Sequence, residues 1–142
     1  MTHGLDTSFL VAVEVSSHKE HARARSGFHK LLKAQDVFAL TPQILAEFIH
    51  VVTDVRRFSS PLNLEEAVER AEIWWNAAEV VHVFPTAEST LLFLGWLEEH
   101  QLGRKRLLDT MLASTLQAGG VTSILTLNRD DFVVFGGFSF PK

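Results

Sequence analysis

The sequence predicts an α/β fold of three layers, α/β/α, around a short, mostly parallel central sheet of about four to five strands. Three observations carry this. Short β-branched and aromatic runs alternate with amphipathic helical stretches, a pattern that calls for parallel pairing with helices on both sheet faces. At 142 residues and 46% hydrophobic content the chain can bury one substantial core and is short for two, so residues 1–142 read as one domain. No repeat, low-complexity tract or Pro/Gly-rich linker interrupts it.

His3 to Leu5 reads as a very short first strand, followed at Asp6 by a helix through Phe9, Leu10 and Val13. A second helix, from about His18 to Lys33, is basic on one side and rests on Phe28, Leu31 and Leu32. Its histidines, His18, His21 and His29, read as solvent-facing. Asp36 to Leu40 returns as a strand. Thr41-Pro42 then starts a helix, because Thr caps free amides and Pro is preorganised for the first helical position. Ile44, Leu45, Phe48, Ile49, Val51 and Val52 surround most of that helix, so it reads as largely buried, with Glu47 in a narrow polar window and His50 partly buried on nearly the same face.

The next helix spans Asn63 or Leu64 to about Ala77, with Ala67, Val68, Ala71, Trp74 and Trp75 inward. Val80 to Phe84 is the third strand, stopped by Pro85. Thr86 to His100 reads as a helix packed through Leu91, Leu92, Leu94 and Leu97, with Gly103 closing it. After the basic turn Arg104 to Arg106, a helix from Leu107 or Leu108 carries Met111, Leu112, Thr115 and Leu116 until Gly119-Gly120. Ser123 to Leu127 is the fourth strand, and Phe138 to Phe140 is a candidate fifth.

Several function classes drop out on composition. Cysteine is absent, which removes disulfides, thiolate zinc sites and cysteine nucleophiles. No segment reaches the roughly 18 to 20 apolar residues that span a membrane, and Met1 to Leu5 carries no secretion signal, so a cytoplasmic protein is expected. A formal charge of −4 argues against holding nucleic acid by bulk electrostatics. Local basic clusters at Arg23, Arg25, His29, Lys30 and Lys33, at Arg56-Arg57 and at Arg104 to Arg106 are candidate phosphate contacts or plain solvated helix faces. No Gly-rich phosphate loop, His-x-x-x-His pair or Ser-His-Asp set in a recognisable context appears.

Five acids remain: Asp6, Glu47, Asp109 and the Asp130-Asp131 pair, each at the edge of an apolar segment. Asp6 and the Asn128 to Asp131 stretch follow strands, where α/β sheets build their sites, and Glu47 and Asp109 lie early enough in helices to reach the same edge. Two carboxylates 4 Å apart repel by roughly 4 kcal/mol at an effective dielectric near 20, so a converged set wants a cation or protons. Oxygen-only ligands favour Mg²⁺, with Mn²⁺ as substitute, and such a centre hydrolyses phosphate esters. Each acid also has a structural reading. Asp6 suits a helix N-cap, Glu47 an outer helix face, Asp109 a helix dipole, and Asp130 or Asp131 a turn. Thr7 and Ser8 either cap that first helix or offer hydroxyls to water or phosphate.

Leu5-Asp6-Thr7-Ser8-Phe9, Leu45-Ala46-Glu47-Phe48, Leu107-Leu108-Asp109-Thr110 and Thr126-Leu127-Asn128-Arg129-Asp130-Asp131-Phe132 resemble, in order and spacing, the acidic motifs of PIN-domain ribonucleases. Size and coverage resemble the toxins of VapBC toxin-antitoxin systems. The resemblance implies a PIN-like domain and a Mg²⁺-dependent endoribonuclease, commonly a homodimer, with RNA as substrate and a VapB-like antitoxin as partner. By motif position Asp6 and Asp109 are the main metal ligands and Glu47 completes the acidic pocket. Asp131 is the fourth acid with Asn128 assisting, and Asp130 is the second candidate for that place. Haloacid-dehalogenase chemistry lacks its second Asp after Asp6. The alternative from another class is a noncatalytic PIN-fold module that binds RNA or protein, which the filling of every acidic position argues against.

Overall fold

In the computed structural model, which describes residues 1–141, four strands form one parallel sheet. They are β1 (Thr2–Leu5), β2 (Val37–Leu40), β3 (Val80–His82) and β4 (Ile124–Leu125), in the order β3-β2-β1-β4. The helices are α1 (Thr7–Glu14), α2 (His21–Lys33), α3 (Pro42–Val52), α4 (Leu64–Asn76), α5 (Ala87–Glu99), α6 (Leu107–Ala118) and the one-turn α7 (Asp130–Val133). A 3₁₀ turn at Arg104–Arg106 leads into α6. Packing divides the helices into two groups. α1 lies on α2 and α3, and α3 on α4; separately, α5 and α7 lie on α6. With the sheet between them these are the three layers expected.

β1 is central, and its register sets Gly4 between Ala39 and Ile124. A Cβ at Gly4 would stand 2.4 Å from Leu116 Cδ1, so the missing side chain is what lets α6 lie close on the sheet. Phe38, Phe48, Phe132, Leu10 and Leu112 fill the space around the sheet at 0–2% exposure. Burying each such side chain contributes about 2 kcal/mol. At the start of α3 the Thr41 hydroxyl accepts the Ile44 amide at 3.3 Å, and Pro42 follows it, as expected.

The elements depart from expectation in instructive places. β4 stops at Leu125 rather than Leu127 because side chains take over the backbone: Leu127 N–H donates to Ser8 Oγ (3.0 Å) and Asn128 N–H to Thr126 Oγ1 (2.9 Å). Phe138 to Phe140 forms no fifth strand. Ser139 makes a single parallel bridge to Ser123, preceded by left-handed Gly136 and Gly137 and followed by Pro141, which has no amide to donate. β3 ends at His82, short of Phe84, and α2 begins at His21 rather than His18, whose ring accepts the Glu20 amide and turns the chain.

Face assignments fail where apolar residues run round a helix. Leu91 and Leu94 of α5 are exposed at 72% and 54%, because only one side of α5 meets α6. Val68 of α4 is exposed, whereas Trp74 is buried and donates to Glu14 Oε1 at 2.7 Å. α3 buries only Ile44, Phe48 and Val52 fully, so it is amphipathic rather than enclosed; Glu47 is half-buried and His50 exposed.

Candidate active site

Asp6 follows β1 and stands at the N-cap position of α1, yet its side chain makes no capping hydrogen bond. Its Oδ2 accepts instead from Thr126 Oγ1 at 2.7 Å and Ser8 Oγ at 2.8 Å. Both hydroxyl protons therefore point at one carboxylate oxygen, and Oδ1 is the oxygen these donors leave open. Thr126 and Ser8 are in turn fixed by the Asn128 and Leu127 amides, so the β4 exit and the α1 entrance are tied through Asp6. The Thr7 hydroxyl is buried and makes no hydrogen bond, so of the two candidate hydroxyls Ser8 is the engaged one.

Glu47 reaches the same place one turn into α3. Gln43 Nε2 donates both to Glu47 Oε2 (2.8 Å) and to the Leu108 carbonyl (3.0 Å), so it clips α3 to the start of α6 beside Asp109. Asp109, in the first turn of α6, pairs with Arg106 (Nε to Oδ2, 3.6 Å). Arg106 also donates from Nη2 to the Asp131 carbonyl. Asp131, which follows the β4 exit, sits in α7 rather than in a plain turn.

Asp6, Glu47, Asp109 and Asp131 line one open cavity of about 1380 Å³, which Thr7, Ser8, Asn128 and Asp130 also border. Their electrostatics show that they share a field. Burial pushes the Asp6 carboxyl up from its ordinary value, with Asp131 adding to the rise and the Thr126 and Ser8 hydrogen bonds opposing it. Glu47 is raised by burial and by Asp6 against the Gln43 bond. Asp109 is raised to about 6, by burial and then by Asp6 and Asp131, with Arg106 opposing and Glu47 adding. Among the described residues no three of these acids are drawn into a ready-made metal cage. Mg²⁺ does not require one, because it is usually held by one or two carboxylates and keeps several waters. The donor set, all oxygen and mutually repelling, fits that ion.

Farther out, the same cavity is bordered by Lys19, Arg23, Arg57 and Arg129, while His29, Lys30 and Lys33 face elsewhere on α2. The basic residues of α2 are thus split between two faces. His18 lines the cavity and His21 contacts the Ala12 carbonyl at 2.8 Å, so neither is simply solvent-facing; His29 is. A Ser-His-Asp set that the sequence did not disclose exists at the opposite sheet edge: His3 Nδ1 meets Ser123 Oγ at 2.6 Å and Nε2 meets Asp36 Oδ2 at 2.8 Å. His3 and Ser123 are buried at 2% and 0%, so no substrate reaches them, and the set joins the starts of β1, β2 and β4.

With the carboxylates gathered at the carboxyl edge of a β3-β2-β1-β4 parallel sheet, the comparison with known families is decisive. The PIN domain family model matches residues 5–136. The chain belongs to the PIN-domain family. This PIN domain is 25% identical to ribonuclease VapC31 of Mycobacterium tuberculosis over 126 residues, which cover 89% of this chain and 88% of that protein. It superposes on VapC20 of M. tuberculosis, a toxin described as cleaving the sarcin-ricin loop, with a TM-score of 0.72 at 19% identity, covering 98% and 97% of the two chains. A second match is VapBC-1 from nontypeable Haemophilus influenzae, with a TM-score of 0.66 at 20% identity and coverage of 100% and 98%. The resemblance to VapC toxins read from the motifs therefore extends to the whole fold of this PIN domain. Thr126, Gln43 and Arg106 are the site residues that motif reading left without a role. Thr126 meets Asp6, Gln43 meets Leu108 and Arg106 meets Asp131 across tertiary contacts that spacing does not announce, whereas the Gln43–Glu47 and Arg106–Asp109 pairs follow helical i,i+4 and i,i+3 spacing.

Proposed function

We propose that this PIN domain is a Mg²⁺-dependent endoribonuclease, the toxin of a type II toxin-antitoxin system. One observation carries the reading: four carboxylates from four distant segments border one cavity, and burial together with the neighbouring acids raises the proton affinity of Asp6, Glu47 and Asp109. Resemblance to ribonuclease VapC31 supports RNA as substrate, and resemblance to VapBC-1 supports a VapB-like antitoxin; a homodimer is part of the same proposal, carried by the motif resemblance alone.

In this reading Asp6 and Asp109 hold the ion, with Glu47 and Asp131 completing the acidic wall. Bound there, Mg²⁺ supplies positive charge to the scissile phosphate and acidifies a water. The chain's own part is orientation. Ser8 and Thr126 fix Asp6 and favour its ionised form against burial, Gln43 aims Glu47, and Arg106 borders Asp109. Glu47, whose burial favours its protonated form, is placed to take up the proton that the attacking water gives up, and Asp131 borders the same cavity.

The test is incubation of the purified protein with total RNA in Mg²⁺, in EDTA, and as Asp6→Asn, with the 5′ ends of products mapped. Discrete cuts bearing 5′-phosphate, present only for wild type with metal, are expected. Cleavage that survives EDTA or Asp6→Asn would sink the reading.

A further inference from the structure

Arg106 carries more than one feature at once. Among the described residues it is the one cation at ion-pair distance from any of the four carboxylates, reaching Asp109 at 3.6 Å. The same guanidinium donates from Nη2 to the backbone carbonyl of Asp131, 25 residues away. Its Nε is buried and has no hydrogen-bond partner, because the Asp109 oxygen stands just too far for one. The guanidinium is therefore held by its ion pair with Asp109 and by its one hydrogen bond, to Asp131.

α7 is one turn long, and the amides of Phe135 and Gly136 that follow it donate to the Phe132 and Val133 carbonyls. Its own amides are tied locally, Asp131 to Asn128 and Phe132 to Arg129. The Asp131 carbonyl is held from outside by Arg106, so the fork fixes the turn that carries the fourth acid against the helix that carries Asp109. Only a planar guanidinium spans both; a lysine ammonium is a point charge.

Resting on the nuclease reading, we propose that Arg106 is a positioning residue that sets Asp131 relative to Asp109, and through that spacing sets the affinity of the site for its divalent cation. Groups that orient metal ligands typically change affinity by roughly ten- to a hundredfold when removed.

The experiment compares wild type, Arg106→Lys, Arg106→Met and the control Lys105→Met, which removes a neighbouring exposed charge. Amide exchange by NMR on the metal-free proteins comes first. Asp131, Phe132 and Val133 amides should exchange faster in both Arg106 variants, with Gly4 and Asp6 amides unchanged and Lys105→Met like wild type. Mn²⁺ titration follows, with Arg106→Lys weakened roughly tenfold or more and Asp131→Asn adding little on top of it, since both act through one group. Unchanged α7 exchange in both variants overturns the proposal, as does Arg106→Lys binding Mn²⁺ like wild type or losses that add fully. If wild type itself binds no Mn²⁺, the nuclease reading fails, and the exchange data alone still decide whether Arg106 holds α7.

Discussion

Asp6 owes its placement to two hydroxyls, and the Thr126 bond is the one that crosses the sheet. Thr126→Val keeps the shape and removes the donor. A hydrogen bond to a charged group is worth about 2 kcal/mol, so urea unfolding of the metal-free protein at neutral pH should show a loss of that order. The loss should shrink in acid, once Asp6 is protonated and a poorer acceptor; a cost independent of pH would mean the bond does not favour the ionised carboxyl. The four acids were legible in the sequence because each sits in a short motif at the end of an apolar run. Their supports were not. Thr126 meets Asp6 across 120 residues and Gln43 meets Leu108 across 65, and such pairings exist only once strand register and helix placement are fixed.

At the scale of elements, Thr41 caps its helix as read from the sequence, and Thr86 and Asn63 cap theirs as well, a cap being a local hydrogen bond between near neighbours. Asp6, which suits an N-cap, does not cap with its side chain. The faces were read poorly. Which side of α5 turns inward depends on where α6 lies, and nothing within α5 says so. The start of α2 and the segment after α3 bring Arg23 and Arg57 to the cavity rim, in exposed pairs with Glu20 (3.8 Å) and Asp54 (3.5 Å). Such pairs are worth little, so a phosphate can displace them. The double variant Arg23→Ala with Arg57→Ala should raise KM for RNA with kcat nearly unchanged. Its salt dependence should flatten by about 0.7 in log-log slope for each RNA phosphate that an arginine no longer neutralises. An unaltered KM and slope would remove both arginines from the RNA path.

Across the whole molecule, the acids pull stability in opposite directions with pH. Asp6, Glu47 and Asp109 bind protons more tightly folded than unfolded, so protonation favours the folded state. Asp36, held low first by the His3 hydrogen bond, and Asp54, held low first by the Arg56 amide, stabilise the ionised fold. They begin to lose that contribution only below the ordinary Asp value of 3.8. Between about 6, the Asp109 value, and that limit the raised group prevails. The metal-free protein should therefore melt higher at about pH 5 than at about pH 7. Asp109→Asn should melt higher than wild type at neutral pH and depend less on pH, whereas a destabilised Asp109→Asn would show that the carboxylate is needed for folding.

The tie between Asp6 and Thr126 also bears on how the protein is made. β1 is central, and its partner on the side of the acids, β4, is encoded more than a hundred residues later. A growing chain holds Asp6 and Glu47 long before, and Asp109 shortly before, it holds the strand that orients Asp6 and the turn that carries Asp131. The cluster is therefore complete only once β4 and α7 have joined the sheet, and on the ribonuclease reading a chain still lacking them holds no assembled site with which to cut RNA.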